Sequence, residues 1–314
     1  MTDQPPSEPA QEIPASDTSR AGVVAALTAY GLWGLVPLYW RLIQGAGPLE
    51  VLAHRVVWSL VFAVLLVLLV ARRRWRQQLA SPRTLLSLGV AAIVVTSNWG
   101  IYIWAVTNGR VTETALGYYI NPLLSILVGV LLLHERLAPV QWIAIGLAAV
   151  AVVVITFGYG RLPWVALLLA TTFAVYGVIK KRVTVEPVVS FGYESAIAVL
   201  PALAFLLWLS SRGESHFGRQ PLGQDLLLIG GGVVTAIPLL AFAFAAQRIP
   251  LSLLGITQYV APTIQFVLGV ALFGEPMPLA RWIGFVLVWA ALLLITGHAV
   301  WRARHRGRRV PTTG

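Results

Sequence analysis

Apolar residues run along this chain in stretches of roughly 20 positions, the length a helix needs to cross a bilayer at about 1.5 Å per residue. Ten such stretches cover residues 21–43, 50–71, 84–106, 112–133, 139–157, 163–179, 187–209, 224–246, 252–273 and 279–300, and the short segments between them collect the arginines and many of the prolines and glycines. The pattern predicts ten transmembrane helices and leaves no room for a sizeable soluble domain. Residues 1–20 read differently. Pro5, Pro6, Pro9 and Pro14 stand among Asp3, Glu8, Glu12 and Asp17 with a single arginine, so this segment is expected to be a disordered tail. It has no basic start followed by a short apolar run, so the first span is expected to act as an uncleaved anchor.

Composition agrees with the pattern. The 314 residues are 58% apolar and only 11% charged, where a soluble domain carries about 25% charged residues. A formal charge of +11 would point to nucleic acid in a soluble protein. Here the basic residues sit in short loops, so no nucleic-acid partner is expected and the charge reports orientation instead. With the amino terminus inside, the cytoplasmic segments hold 16 Lys and Arg residues, among them Arg72, Arg73, Arg74, Arg76, Lys180, Lys181 and the Arg302–Arg309 tail, and the opposite face holds six. Both termini are therefore expected to be cytoplasmic. The chain has no cysteine, which excludes disulfides, thiolate catalysis and cysteine metal sites.

Sliding the sequence against itself by 140 residues aligns 112–156 with 252–296 and gives 12 identities in 45 positions. Pro122, Gly129, Glu135 and Trp142 recur as Pro262, Gly269, Glu275 and Trp282. A weaker match at 143 residues sets Trp33-Gly34 against Tyr176-Gly177. The copies thus begin at the first and sixth spans. Each holds five spans, an odd number, so the second copy enters the membrane from the opposite face. The expected fold is an all-α membrane protein of ten transmembrane helices in two inverted five-helix repeats, with residues 1–20 as the tail, 21–158 and 159–300 as the repeats and 301–314 as a basic cytoplasmic tail. Inverted repeats about a midplane site are a recurring design of secondary transporters.

Ionisable side chains are costly in hydrocarbon, so the few inside spans are candidate pathway residues. Arg55 is the clearest, with Glu50 and His54 on the same span. Glu194 lies inside the seventh span with no basic sequence neighbour, as a candidate for proton uptake or for a protonated acid against a hydroxyl. The fourth span carries Thr114, Tyr118, Asn121 and Ser125 on one helical face, and the 140-residue offset places Gln258 and Gln265 on the matching face of the ninth. Both stripes are expected to line one cavity; interhelical hydrogen bonding is the alternative. Pro122 and Pro262 each free a carbonyl at this level. Trp33, Asn98, Trp99, Tyr102 and Trp104 could supply an aromatic or polar wall, against the alternative of an interfacial aromatic belt. Glu135 and Glu275, ending paired spans, are expected to gate or to cap helix ends.

The string Tyr30-Gly31-Leu32-Trp33-Gly34, the sequence Ala53-His54-Arg55, Asn121-Pro122 running into His134-Glu135-Arg136-Leu137, and Pro262 running into Gly274-Glu275-Pro276 together resemble the EamA family of the drug/metabolite transporter superfamily. The likeness is greatest to its RarD-type branch, named for chloramphenicol sensitivity, and covers nearly all of residues 21–300. It implies a ten-helix carrier in the bacterial inner membrane, working as an exporter of small organic metabolites or drug-like molecules without ATP; the family's substrates include amino acids, nucleobases and drugs. The other readings are weaker. No metal-site or nucleophile motif supports an intramembrane enzyme, no phosphate-binding loop supports an ATP-driven pump, and no cofactor is expected. A non-transporting scaffold or regulator is the remaining alternative. The expected partners are a small-molecule substrate and the lipid bilayer, and small residues such as Gly146 leave a homodimer open.

Overall fold

The structure is a computed structural model that describes residues 15–66, 68–69, 81–133, 138–183, 185, 187–246, 248–249 and 251–306. The described residues form helices joined by short turns, with no strand among them. The helices are α1 (Ala15–Leu42), α2 (Pro48–Leu66), α3 (Pro82–Thr107), α4 (Val111–Leu133), α5 (Pro139–Tyr159), α6 (Trp164–Arg182), α7 (Pro187–Ser211), α8 (Leu222–Ala246), α9 (Leu251–Thr257), α10 (Val260–Val267) and α11 (Leu279–Arg306). Their ends follow local chemistry. Ser81 accepts from the Thr84 amide ahead of α3, with Pro82 in the first turn, where its missing N–H is not needed. Gly160, at a φ of 77°, closes α5 in the left-handed conformation that favours glycine.

Seven described helices are long and apolar enough to cross a membrane: Arg20–Leu42, Pro48–Leu66, Pro82–Thr107, Pro139–Gly158, Val189–Ser211, Leu222–Ala246 and Leu279–His298. Trp164–Lys180 and Val260–Leu272 are apolar but shorter. The fourth expected span, α4, has 23 residues and carries Glu113 in its first turn.

Three local differences from expectation have physical causes. α1 begins at Ala15, inside the segment expected to be disordered, because nothing after Pro14 interrupts a helix. α11 likewise continues past residue 300 to Arg306, the last described residue, because residues 298–306 hold no proline or glycine. The ninth expected span is divided. α9 stops at Thr257, Gln258 and Tyr259 form a turn, α10 follows, and Leu268–Leu272 widens into a π-helical turn. Pro262 favours the first break, since its ring crowds the carbonyl four residues earlier, at Gln258, although Pro37, Pro201 and Pro238 lie inside continuous helices. Pro122, by contrast, lies within the continuous α4.

The packing is between helices distant in sequence. α1 rests on α8 and α10, α2 on α7 and α8, α3 on α6 and α7, α4 on α6 and α10, and α5 on α11. Replacing each of the first five helices by the one five spans later, and the reverse, largely preserves this set of neighbours: α1–α8 exchanges with α3–α6, and α1–α10 with α4–α6. Glycines set the closest approaches. A Cβ on Gly232 of α8 would lie 2.6 Å from the Trp58 carbonyl carbon of α2, and one on Gly117 of α4 would lie 2.9 Å from the Ala166 oxygen of α6. On the α5–α11 seam, Gly284 receives Ile155 and Gly158 receives Ala280.

Candidate functional site

Arg55 lies on the buried face of α2 with 8% of its surface exposed. Its Nε donates to the Thr235 hydroxyl of α8 at 2.9 Å. The guanidinium carbon stands 4.1 Å from the Trp99 ring centroid and 5.4 Å from that of Trp40. Tyr102, one helical turn beyond Trp99, places its ring 5.8 Å from that of Tyr118 on α4. Both phenols lie within electrostatic reach of Arg55. No carboxylate among the described residues pairs with it. Around this point several buried polar atoms also lack a partner among the described residues: Trp40 Nε1, Ser59 Oγ, one turn along α2 from Arg55, and the Tyr102 hydroxyl. Gly231 permits the assembly, because a Cβ there would meet the Trp40 ring at 3.4 Å.

The two sequence neighbours of Arg55 serve another region. Glu50 accepts from the His216 amide and pairs with its Nδ1, both at 2.8 Å, and accepts from the Ser215 hydroxyl at 3.3 Å. His54 stacks on Phe217 with centroids 4.7 Å apart. Both therefore fasten the loop between α7 and α8.

Glu194 is not isolated. It is 5% exposed on α7 and accepts from Lys180 Nζ at 2.6 Å, Ser190 Oγ at 2.8 Å and Tyr176 OH at 3.0 Å. The absence of a basic sequence neighbour is overcome by the turn between α6 and α7, which brings Lys180 alongside and makes a paired carboxylate of a residue read as a candidate for proton uptake. Asn98 donates to the Leu169 carbonyl at 2.9 Å and to Thr172 Oγ1 at 2.8 Å, tying α3 to α6.

The fourth-span stripe divides. Tyr118 joins the Arg55 group. Thr114 donates to Gln265 Oε1 at 3.3 Å, and Gln265, 2% exposed, donates to the Trp33 carbonyl at 3.2 Å, so Gln265 bonds α4, α10 and α1 together. Ser125 donates to Asn121 Oδ1 at 3.3 Å within α4, and Gln258 is half-buried at the break before α10. The Trp33 ring packs with Tyr30 and Phe242. Pro262 is buried on α10.

Glu275 is 6% exposed and caps a helix of the other half. It accepts from the Val111 and Thr112 amides at 2.5 and 2.8 Å and from the Thr112 hydroxyl at 2.6 Å, at the start of α4, where unsatisfied amides favour an anion. Beside it, Glu113 accepts from the Val165 amide at the start of α6 at 3.1 Å. Glu135, its sequence counterpart, lies outside the described residues. A separate cleft of about 870 Å³ lies between α2, α3 and α7, with Leu52, Thr96, Ser97, Gly100, Trp104 and Pro201 among its walls. Trp104 thus parts from Trp99 and Tyr102 and packs on Trp164 at 5.1 Å.

Sequence reading missed Trp40, Ser59 and Thr235. Ser59 was within reach, four residues after Arg55 on the same helical face, and Thr235 is the one hydroxyl in the 224–246 stretch. Trp40 gave no signal, because tryptophan at a span end reads as interfacial.

Membrane-length apolar helices around buried ionisable groups define a multi-pass membrane protein. The pattern of the EamA-like transporter family matches residues 20–157 and again 162–297, and the chain belongs to this family of membrane transporters. It is 50% identical over 299 residues to Protein RarD of Streptomyces exfoliatus, covering 94% of each chain. It is 42% identical over 284 residues to the uncharacterized transporter YojE of Bacillus subtilis, covering 88% of this chain and 94% of that one. A solved crystal structure with 22% identity superposes at a TM-score of 0.58 over 88% of this chain and 97% of its own, a likeness of fold. The family is one of transporters rather than enzymes, acting on small molecules in the membrane.

Proposed function

We propose that the protein is a secondary carrier that exports small organic metabolites or drug-like molecules across the bacterial inner membrane, by alternating access between two inverted five-helix repeats, 21–158 and 159–300. The observation that carries this reading is the set of helix neighbours, which is largely preserved when the two halves are exchanged. Two copies related by a two-fold axis in the membrane plane give such a set, and rocking one group of helices against the other then opens the centre to each side in turn. In this reading the broken α9–α10 region and its π turn make one crossing, α4 and α6 two more, and ten crossings leave both termini cytoplasmic, as the Lys and Arg distribution requires. Glu275, reaching from the second repeat to the start of α4 in the first, is the latch of the outer end. The site that is exposed alternately is the Arg55 cluster, which draws on α1, α2, α3, α4 and α8.

Flux into proteoliposomes tests the proposal. Purified protein is reconstituted without nucleotide, and uptake of a radiolabelled amino acid, a nucleobase and chloramphenicol is followed against protein-free vesicles. Saturable counterflow of at least one probe is expected. Uptake equal to that of the empty vesicles for every probe would reduce the chain to a membrane scaffold.

A further inference from the structure

The Arg55 cluster has the composition of an anion site. From the geometry we infer that it binds the carboxylate of a flat organic monoanion, and that the substrate class of this carrier is therefore monocarboxylates with an aromatic or similarly planar body. The inference deepens the carrier reading and rests on it for the word substrate.

The argument starts from charge. A guanidinium 8% exposed inside a helical bundle needs either a counter-ion or several strong acceptors. Arg55 has one neutral hydroxyl, Thr235, on its Nε. The Nη1–Nη2 edge of the fork makes no hydrogen bond to a described residue, and this edge matches a carboxylate bidentately. Among the described residues no carboxylate offsets the single charge of Arg55, so one negative charge is its complement, which favours a monoanion over a phosphate dianion.

The surroundings set the rest of the ligand. Ser59 Oγ and the Tyr102 hydroxyl, on residues 1% and 5% exposed, are buried donors with no partner among the described residues, as is Trp40 Nε1. Buried polar groups are nearly always satisfied, and of the seven described buried side-chain atoms without a partner these three belong to helices that pack around Arg55, which fits a ligand rich in acceptors. The rings of Trp99, Tyr102 and Tyr118 supply apolar faces next to that charge, suited to a planar body.

Equilibrium binding to the full chain in detergent micelles tests this, with radiolabelled benzoate as the probe and unlabelled benzoate, benzamide and inorganic phosphate as competitors. Benzoate is expected to bind, with benzamide and phosphate competing about 10- to 100-fold less well, the range of a charge-assisted hydrogen-bonded pair. Arg55→Gln with unchanged helical circular dichroism is expected to lose benzoate binding. Should that variant fail to fold, Ser59→Ala combined with Tyr102→Phe decides, since both remove groups that bond no described protein atom; affinity is expected to fall about 3- to 10-fold with thermal stability unchanged. No benzoate binding, equal competition by benzamide, better competition by phosphate, or unaltered affinity in the folded variants would overturn the inference. Benzoate binding without flux of any probe would sink the carrier reading and leave the site, whereas flux indifferent to a carboxylate would do the reverse.

Discussion

Arg55 and Arg219 are both arginines of the same chain and differ in what surrounds them. Arg219 sits in the exposed turn before α8 and bonds the Gly213 carbonyl, where water can take over any lost contact. Arg55 is shut among Trp40, Trp99 and Thr235, where nothing replaces it. Arg55→Ala is therefore expected to cut reconstituted flux by about tenfold or more, and Arg219→Ala to leave it within about twofold, at matched protein per vesicle. Arg55 was legible in the sequence because a charge in an apolar stretch stands out by itself. Its partners were not, since Trp40, Trp99 and Thr235 come from three other helices and only packing brings them together. Glu194 shows the same limit from the other side: with no basic residue beside it in sequence, it meets Lys180 across the α6–α7 turn.

Helices in this protein are positioned by contacts that no single span reveals. Gly232 lets α8 lie against the α2 backbone at Trp58, and because the nearest atoms include main chain, a methyl group there cannot be accommodated by a rotamer change. Gly232→Ala is expected to lower stability by about 1–3 kcal/mol, read as the thermal midpoint in detergent, whereas Gly146→Ala, which meets no atom within 4 Å, should be neutral. Glu275 fastens two distant elements by accepting at both Val111 and Thr112, 164 and 163 residues earlier in the chain. In Glu275→Gln one acceptor becomes a donor facing a donor, so a loss of about 1–2 kcal/mol is expected by the same measurement, with faster modification of a cysteine placed at Thr112 by reagent outside the cell. Sequence reading assigned Glu275 a helix end or a gate, and the cap it forms belongs to a helix of the other repeat. The break before α10 was half legible. Pro262 announced a freed carbonyl, but the same residue type at Pro122 leaves α4 unbroken, so context rather than proline decided.

At the scale of the whole molecule, the order of apolar stretches, the charge bias and the internal repeat were readable from the chain, because hydrocarbon thickness fixes helix length and loop charge fixes orientation. What could not be read was which helices meet, since lipid-facing and helix-facing surfaces are both apolar. The proposed topology predicts that Glu214→Cys, in the exposed α7–α8 loop, is modified in intact cells by a membrane-impermeant maleimide, and that Arg83→Cys, exposed at the start of α3, is modified only after lysis. The reverse pattern would invert the molecule.

The central claim is that the Arg55 cluster faces each side of the membrane in turn, and the direct measurement is two-sided access to Ser59, which is 1% exposed in this conformation. Ser59→Cys would be the sole cysteine, reconstituted in sealed vesicles and exposed to a membrane-impermeant thiol reagent from the outer and inner faces separately. Alternating access predicts slow modification from both faces, slower than that of Glu214→Cys from its one face. Modification from a single face only, or from neither, would contradict it.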